Sequence, residues 1–146
     1  MTPRDLLAFA RRHRLAVQAS TSAGGAPQAA VVGVVFGDRF EAFFDTLEST
    51  RKCKNLRQDP RAALVVGWDM DVGCTLQIEG LADEPSGAEL AALQSLYFAT
   101  VPDGLERKSW PGITYFRVRP TWMRFGDFTG PEPRIVELDE FVLAGL

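Results

Sequence analysis

The chain has 146 residues, 46% hydrophobic and 24% charged, with a net charge of −3 and a pI near 5.2. One core of this length can bury roughly two-thirds of the unfolded surface, so the chain fits a single domain over residues 1–146 and is not disordered along most of its length. The acidic balance gives no global positive field for nucleic acid or an anionic membrane, and Cys53, Cys74 and the lone His13 are too few for a zinc cage.

Near the start, Leu6, Leu7, Ala8, Phe9 and Ala10 run straight into Arg11, Arg12, His13 and Arg14. This run is too short and wrongly flanked for a secretory signal, and no run approaches the about 18 apolar residues of a membrane span. The expected address is the cytoplasm, with both cysteines reduced. Thr2 can cap a first helix, with Pro3 at its first position and Asp5 near the positive end of the dipole. Arg11, Arg12 and Arg14 then fall in the last turn, where the dipole favours cations.

From Leu15 the period changes to two. Residues 15–21 and 29–36 predict strands joined by the Gly-Gly connection at 22–27. A tight turn at Gly37 and Asp38 leads to a third strand over 40–45, so the three are expected to follow one another as a meander. A short helix is predicted over 49–58, capped by Ser49 or Thr50, with Cys53 and Leu56 on one face and Asp59-Pro60 at its end. Strands follow over 62–68 and 75–82. Ser86 and Glu89 form a capping-box pattern ahead of Leu90, Leu93, Leu96 and Tyr97 at helical spacing, and this helix should stop near Thr100. Residues 102–112 read as a loop of functional length. The last long strand is predicted over 114–125, bent at Pro120, and residues 135–138 can add an edge strand before Phe141, Val142 and Leu143. Six or so strands without strand-helix alternation argue for an antiparallel barrel or sandwich.

The most informative stretch is Thr46-Leu47-Glu48-Ser49-Thr50-Arg51-Lys52, which sets hydroxyls and two adjacent cations at the start of a helix. Cations there oppose the helix dipole at a cost of a few tenths to about 1 kcal/mol, unless an anion sits against them. A phosphate reverses that sign: the first amides point at it, the Arg fork grips two oxygens, the Lys adds a point charge, and Thr46 and Thr50 add hydroxyl donors. Composition alone is met equally by a solvated basic helix whose Arg51, Lys52, Lys54 and Arg57 face water.

The combined run of Ala26-Pro27-Gln28, Phe44-Asp45-Thr46, Thr50-Arg51-Lys52, Asn55-Leu56, Asp59-Pro60-Arg61-Ala62 and Gln77-Ile78-Glu79-Gly80 resembles the pyridoxamine 5'-phosphate oxidase-like flavoproteins. The resemblance covers residues 15–125. It implies a mainly β fold with peripheral helices, a six-stranded antiparallel split β-barrel, and usually a homodimer with two FMN molecules at the subunit interface. Carried onto this chain, Arg51 and Lys52 match the phosphate-binding pair, Asp45 and Thr46 the strand end beside the ribityl phosphate, and Thr50 a position that is often Ser. Ala30, Val31, Val32 and Gly33 match the strand whose backbone edge meets the isoalloxazine ring. Gln77 matches a glutamine that reaches the flavin, and Trp110 and Trp122 are candidates to close the pocket, from either subunit.

The chain also departs from the pattern. Where the oxidase has an Arg opening the second strand and a Lys closing it, this chain has Ala30 and Val35, and the oxidase's substrate-binding Arg and His have no counterpart. The resemblance therefore implies an FMN-dependent oxidoreductase other than an authentic pyridoxamine 5'-phosphate oxidase, taking a small-molecule substrate or an electron donor such as NADH or NADPH. No side chain is assigned as an acid or base, and His13, the only histidine, falls on a predicted surface helix, which argues against a Ser-His-Asp triad. Two other readings stay open: a reductase using the deazaflavin F420, and a non-catalytic flavin or heme carrier.

Overall fold

The computed structural model describes residues 1–69 and 73–146. Helix α1 (Pro3–Arg11) begins as the sequence predicts: Asp5 N donates to Thr2 Oγ1 at 3.2 Å and Thr2 N donates to Asp5 Oδ2 at 2.8 Å, closing a capping box. Its apolar face buries Leu6, Phe9 and Ala10, and Arg11 near its end donates to Asp38 Oδ1 at 2.8 Å.

Eight strands make one sheet among the described residues: β1 (Leu15–Thr21), β2 (Pro27–Gly33), β3 (Val35–Phe36), β4 (Ala42–Leu47), β5 (Arg61–Val66), β6 (Cys74–Asp83), β7 (Ile113–Asp127) and β8 (Arg134–Leu138). Their order is β2-β1-β5-β6-β7-β4-β3, with β8 on the far half of β7, and every pairing is antiparallel. The sheet curls until β2 lies against β4 without pairing to it, which makes the barrel a split one. Helices α2 (Arg51–Gln58), α3 (Gly87–Thr100), α4 (Gly104–Arg107) and α5 (Glu140–Ala144) sit around it.

The strand count exceeds the expected six because the predicted strand over 29–36 is two strands and the edge strand β8 joins the sheet. At Val34 the chain leaves one side of the split for the other: Gly33 pairs with Leu15, Val34 N donates to Arg14 O at 2.9 Å, and Val35 pairs with Phe43. The expected successive pairings form, β1 with β2 and β3 with β4, but the division of the middle strand carries β3 and β4 to the opposite end of the sheet from β2, so the three do not lie side by side as a meander. The third strand also begins at Ala42 rather than residue 40, because Phe40 adopts a left-handed φ of 61° that no strand continues through.

Both faces of β3 and of the first half of β4 are covered, which explains the apolar runs Val35-Phe36 and Ala42-Phe43-Phe44. Val34, Phe36 and Phe44 face the barrel interior with Leu64, Ile78, Phe116 and Met123, whereas Val35 and Phe43 face α3 with Tyr97, Val101 and Tyr115. The bend expected at Pro120 is present as a register shift: Glu79 lies opposite Trp122 but Gly80 opposite Pro120. A Cβ at Gly80 would collide with the Arg119 carbonyl, so the bulge admits only glycine there.

Two local expectations need correction. Ser86 stands at the N-cap of α3 without a side-chain cap bond, and Glu89, the other half of the expected capping box, accepts instead from Arg117 Nη1 at 3.0 Å. Residues 102–112 are not all loop, since α4 forms within them.

Candidate functional site

The cleft follows from the split. β3 pairs only with Ala42 and Phe43 of β4, so residues 44–47 present an edge toward β2, whose own outer edge is unpaired among the described residues. Unpaired strand edges carry rows of N–H and C=O groups that need a partner. Between these edges lies a cavity of about 570 Å³, lined by Val31, Val32 and Gly33 on one side and Asp45, Thr46 and Leu47 on the other, with Lys52 and Trp110 also in its lining. Trp110 is half exposed at the rim.

Behind it, α2 begins as the sequence predicts. Thr50 is its N-cap and accepts from Cys53 N at 3.3 Å. The same hydroxyl donates to Leu47 O at 2.8 Å, so the 2.8 Å contact between Thr46 and Thr50 has Thr46 as donor. In this geometry both hydroxyl protons are engaged within the turn, so Thr46 and Thr50 would have to exchange those bonds to donate to an anion. The donors left are the amides that open α2 and the side chains of Arg51 and Lys52.

Neither cation has an acidic partner among the described residues, in contrast to Arg57 on the next turn, which pairs with Glu84 at 2.7 Å and Glu48 at 3.0 Å. Lys52 lines the cleft and also an adjoining pocket of about 410 Å³ formed by Gln18, Gln28, Ala30, Thr50 and Arg51. Two uncompensated cations at a helix start, facing open space, fit a phosphate.

The structure therefore brings together Val31, Val32, Gly33, Asp45, Thr46, Lys52 and Trp110 in the cleft, and Ala30, Thr50 and Arg51 in the pocket beside it. Gln77 joins neither. Strand alternation turns Leu76 and Ile78 into the core and leaves Gln77 exposed on the outer face, opposite Val65 and Arg124. Trp122 lies on the outer side of β7 and lines neither cavity.

Sequence reasoning missed Arg107. Its Nε donates to Asp45 Oδ2 at 2.7 Å, its Nη2 to Tyr97 Oη at 3.0 Å, and its Nη1 pairs with Asp103 Oδ2 at 2.6 Å. Burial opposes the Arg107 charge, but the bonds to Asp45, Asp103 and Tyr97 outweigh it and hold its pKa above the usual arginine value. Burial, and then the negative Asp45, push the Tyr97 phenol above its ordinary value, so it stays protonated. Arg107 thereby braces the wall of the cleft, and no local pattern marks that role, because Asp45 lies 62 residues away in sequence.

Comparison with known proteins agrees with this architecture. A heme-binding protein from Mycobacterium smegmatis superposes with a TM-score of 0.80 at 19% identity, over 95% of this chain and 57% of that one. This chain thus spans little more than half the length of that relative. HutZ, the heme storage protein from Vibrio cholerae, gives a TM-score of 0.69 at 12% identity over 81% and 89% of the two chains. A pyridoxamine 5'-phosphate oxidase-related, FMN-binding protein from Nostoc punctiforme gives 0.69 at 12% identity over 95% and 98%. Likeness at such identities carries the fold. No curated protein matches in sequence. The family profile described as pyridoxamine 5'-phosphate oxidase matches residues 2–126, from the cap of α1 to the penultimate residue of β7, and the chain belongs to that family.

Proposed function

We propose that the chain binds FMN in the cleft at the split of the barrel and serves as a flavin-dependent oxidoreductase, acting as a homodimer. The observation that carries this reading is the placement of Arg51 and Lys52, without acidic partners among the described residues, where the cleft meets the N-terminus of α2. FMN has the complementary shape. Its phosphate suits the cations and helix amides, and its flat ring with an amide edge suits the unpaired backbone of β2. When bound, the flavin supplies hydride or electron transfer, and the protein binds, orients and shields it. Trp110 at the rim excludes water from one side.

Gln77 bears on the assembly. It is exposed on the outer face of β6 and lines neither cavity, so the reading that it reaches the flavin requires a second copy of the chain to carry it there. Ala30 and Val35 put no cation at the ends of the β2–β3 segment, which favours a substrate other than a pyridoxal phosphate. An electron donor such as NADH or NADPH would approach the open side of the cleft. F420 would use the same phosphate cradle. Heme is the second cofactor reading, because two proteins of this fold bind or store it. The described residues lining the cleft include no His, Cys, Met or Tyr to hold iron, which favours flavin.

Titration of the purified protein with FMN, F420 and hemin, alongside a mass of any copurifying ligand, tests the assignment. Tight FMN binding with quenched flavin fluorescence, and anaerobic bleaching by NADH or NADPH, is expected. Preference for F420 or hemin moves the assignment to that cofactor, flavin binding without reduction moves it to a carrier, and a dimer that refuses all three overturns it.

A further inference from the structure

The pocket beside the cleft contains a buried polar group that the fold leaves unsatisfied. Gln18 of β1 is 1% exposed, lies among the residues forming that pocket, and its Nε2 has no hydrogen-bond partner among the described residues. Native folds rarely bury a carboxamide N–H without an acceptor, and where they do, a ligand, ion or water commonly completes it. Ala29 and Ala30 of the facing strand are too small to fill the space. Gln28, also in the pocket, points its carboxamide between Asn55 and Arg51. With its oxygen toward the guanidinium it accepts from Arg51 Nε at 3.0 Å and Nη1 at 2.9 Å.

The pocket continues the cleft. Residues 31–33 of β2 line the cleft and residues 29 and 30 line the pocket, and Lys52 borders both. A ligand lying along β2 therefore runs its tail into the pocket, against the start of α2.

We infer that Gln18 is a ligand-binding residue whose amide N–H donates to a terminal oxyanion seated in this pocket, with Arg51 oriented by Gln28 and Lys52 supplying the charge. The inference rests on reading the cleft as the cofactor site and adds to it a neutral, buried donor from β1. A neutral donor suits a group whose charge the two cations already balance, such as a phosphate monoester. A carboxylate tail shares the oxyanion chemistry and is separated below.

The test replaces Gln18 by Leu, and separately by Met, each of which keeps the volume and removes the donor. FMN and riboflavin affinities are measured for each variant, together with the melting-temperature rise given by inorganic phosphate and by glutarate. The expected result is FMN affinity lower by about tenfold or more in both variants, as for a lost bond to a charged group. Riboflavin affinity should be unchanged, the phosphate-induced rise lost, and the ligand-free variants at least as stable as the parent. Equal FMN affinity in variant and parent, or a parallel loss of FMN and riboflavin, overturns the inference. If the parent binds neither flavin, the cofactor reading fails but the phosphate arm still decides: a rise present in the parent and lost in the variants supports an oxyanion site at Gln18, and an equal or absent rise overturns it. Stabilisation by glutarate and not by phosphate assigns the tail as a carboxylate.

Discussion

Arg107 donates to Asp45 at 2.7 Å and so joins α4 to β4 across 62 residues of sequence at the wall of the cleft. Asp45 is nine-tenths buried and Arg107 nearly as much, so removing Arg107 leaves a shielded carboxylate without its counter-ion, whereas Arg107 without Asp45 keeps Asp103. Arg107→Ala is expected to destabilise the protein by on the order of 3 kcal/mol, and Asp45→Ala/Arg107→Ala to recover part of that loss. A double-mutant cycle in urea checks it, and additivity within about 0.5 kcal/mol would show that the two residues are not coupled.

Replacing Arg51 and Lys52 together by Ala should abolish FMN binding and leave the melting temperature nearly unchanged, because neither side chain holds another part of the fold by an ion pair. Exposed substitutions of this kind usually shift stability by within about 0.5 kcal/mol. Flavin fluorescence titration and a thermal melt read the two halves separately, and retained affinity in the double variant would contradict the cradle.

Gly80→Ala should destabilise by about 1–3 kcal/mol, since the added carbon meets the Arg119 carbonyl and the backbone of β7 must move. A melt matching that of the parent would mean that the bulge is softer than its geometry implies.

His13 packs on Phe9 with ring centroids 4.7 Å apart. Burial first, then the neighbouring Arg12, lower its pKa from the ordinary 6.5, while Asp69 opposes them. The folded state therefore favours the neutral ring. Its contribution to stability is complete above about pH 6.5 and is lost as pH falls, because the unfolded chain takes up the proton more readily. His13→Gln should flatten the fall in melting temperature between about pH 7 and pH 5, and an identical pH profile would refute this.

Local chemistry made most elements legible in the sequence. The Thr2, Pro3 and Asp5 start of α1 and the Thr50 cap of α2 each depend on residues within one turn, and both are found where they were expected. The alternation in β1 and β6 likewise depends only on near neighbours and the side they face. The expectation failed where an element's partner is distant. The run over 29–36 alternates like one strand, yet its two ends pair with β1 and β4, and the change of partner falls at Val34, whose N–H makes the last bond on the β1 side, to Arg14 O. Glu89 resembles a capping residue until Arg117 of β7 comes within reach.

What the sequence determined by itself is the layout of the proposed anion cradle, because Arg51 and Lys52 follow their own cap by one and two residues and the helix amides arrive with them. What only the tertiary structure decided is the cleft that the cradle serves. β2 and β4 become neighbours through the curl of the whole sheet, so the placing of Gly33 and Thr46 about one cavity, the Arg107 brace on Asp45 and the unsatisfied Gln18 in the pocket with Arg51 are products of long-range closure that no local pattern encodes.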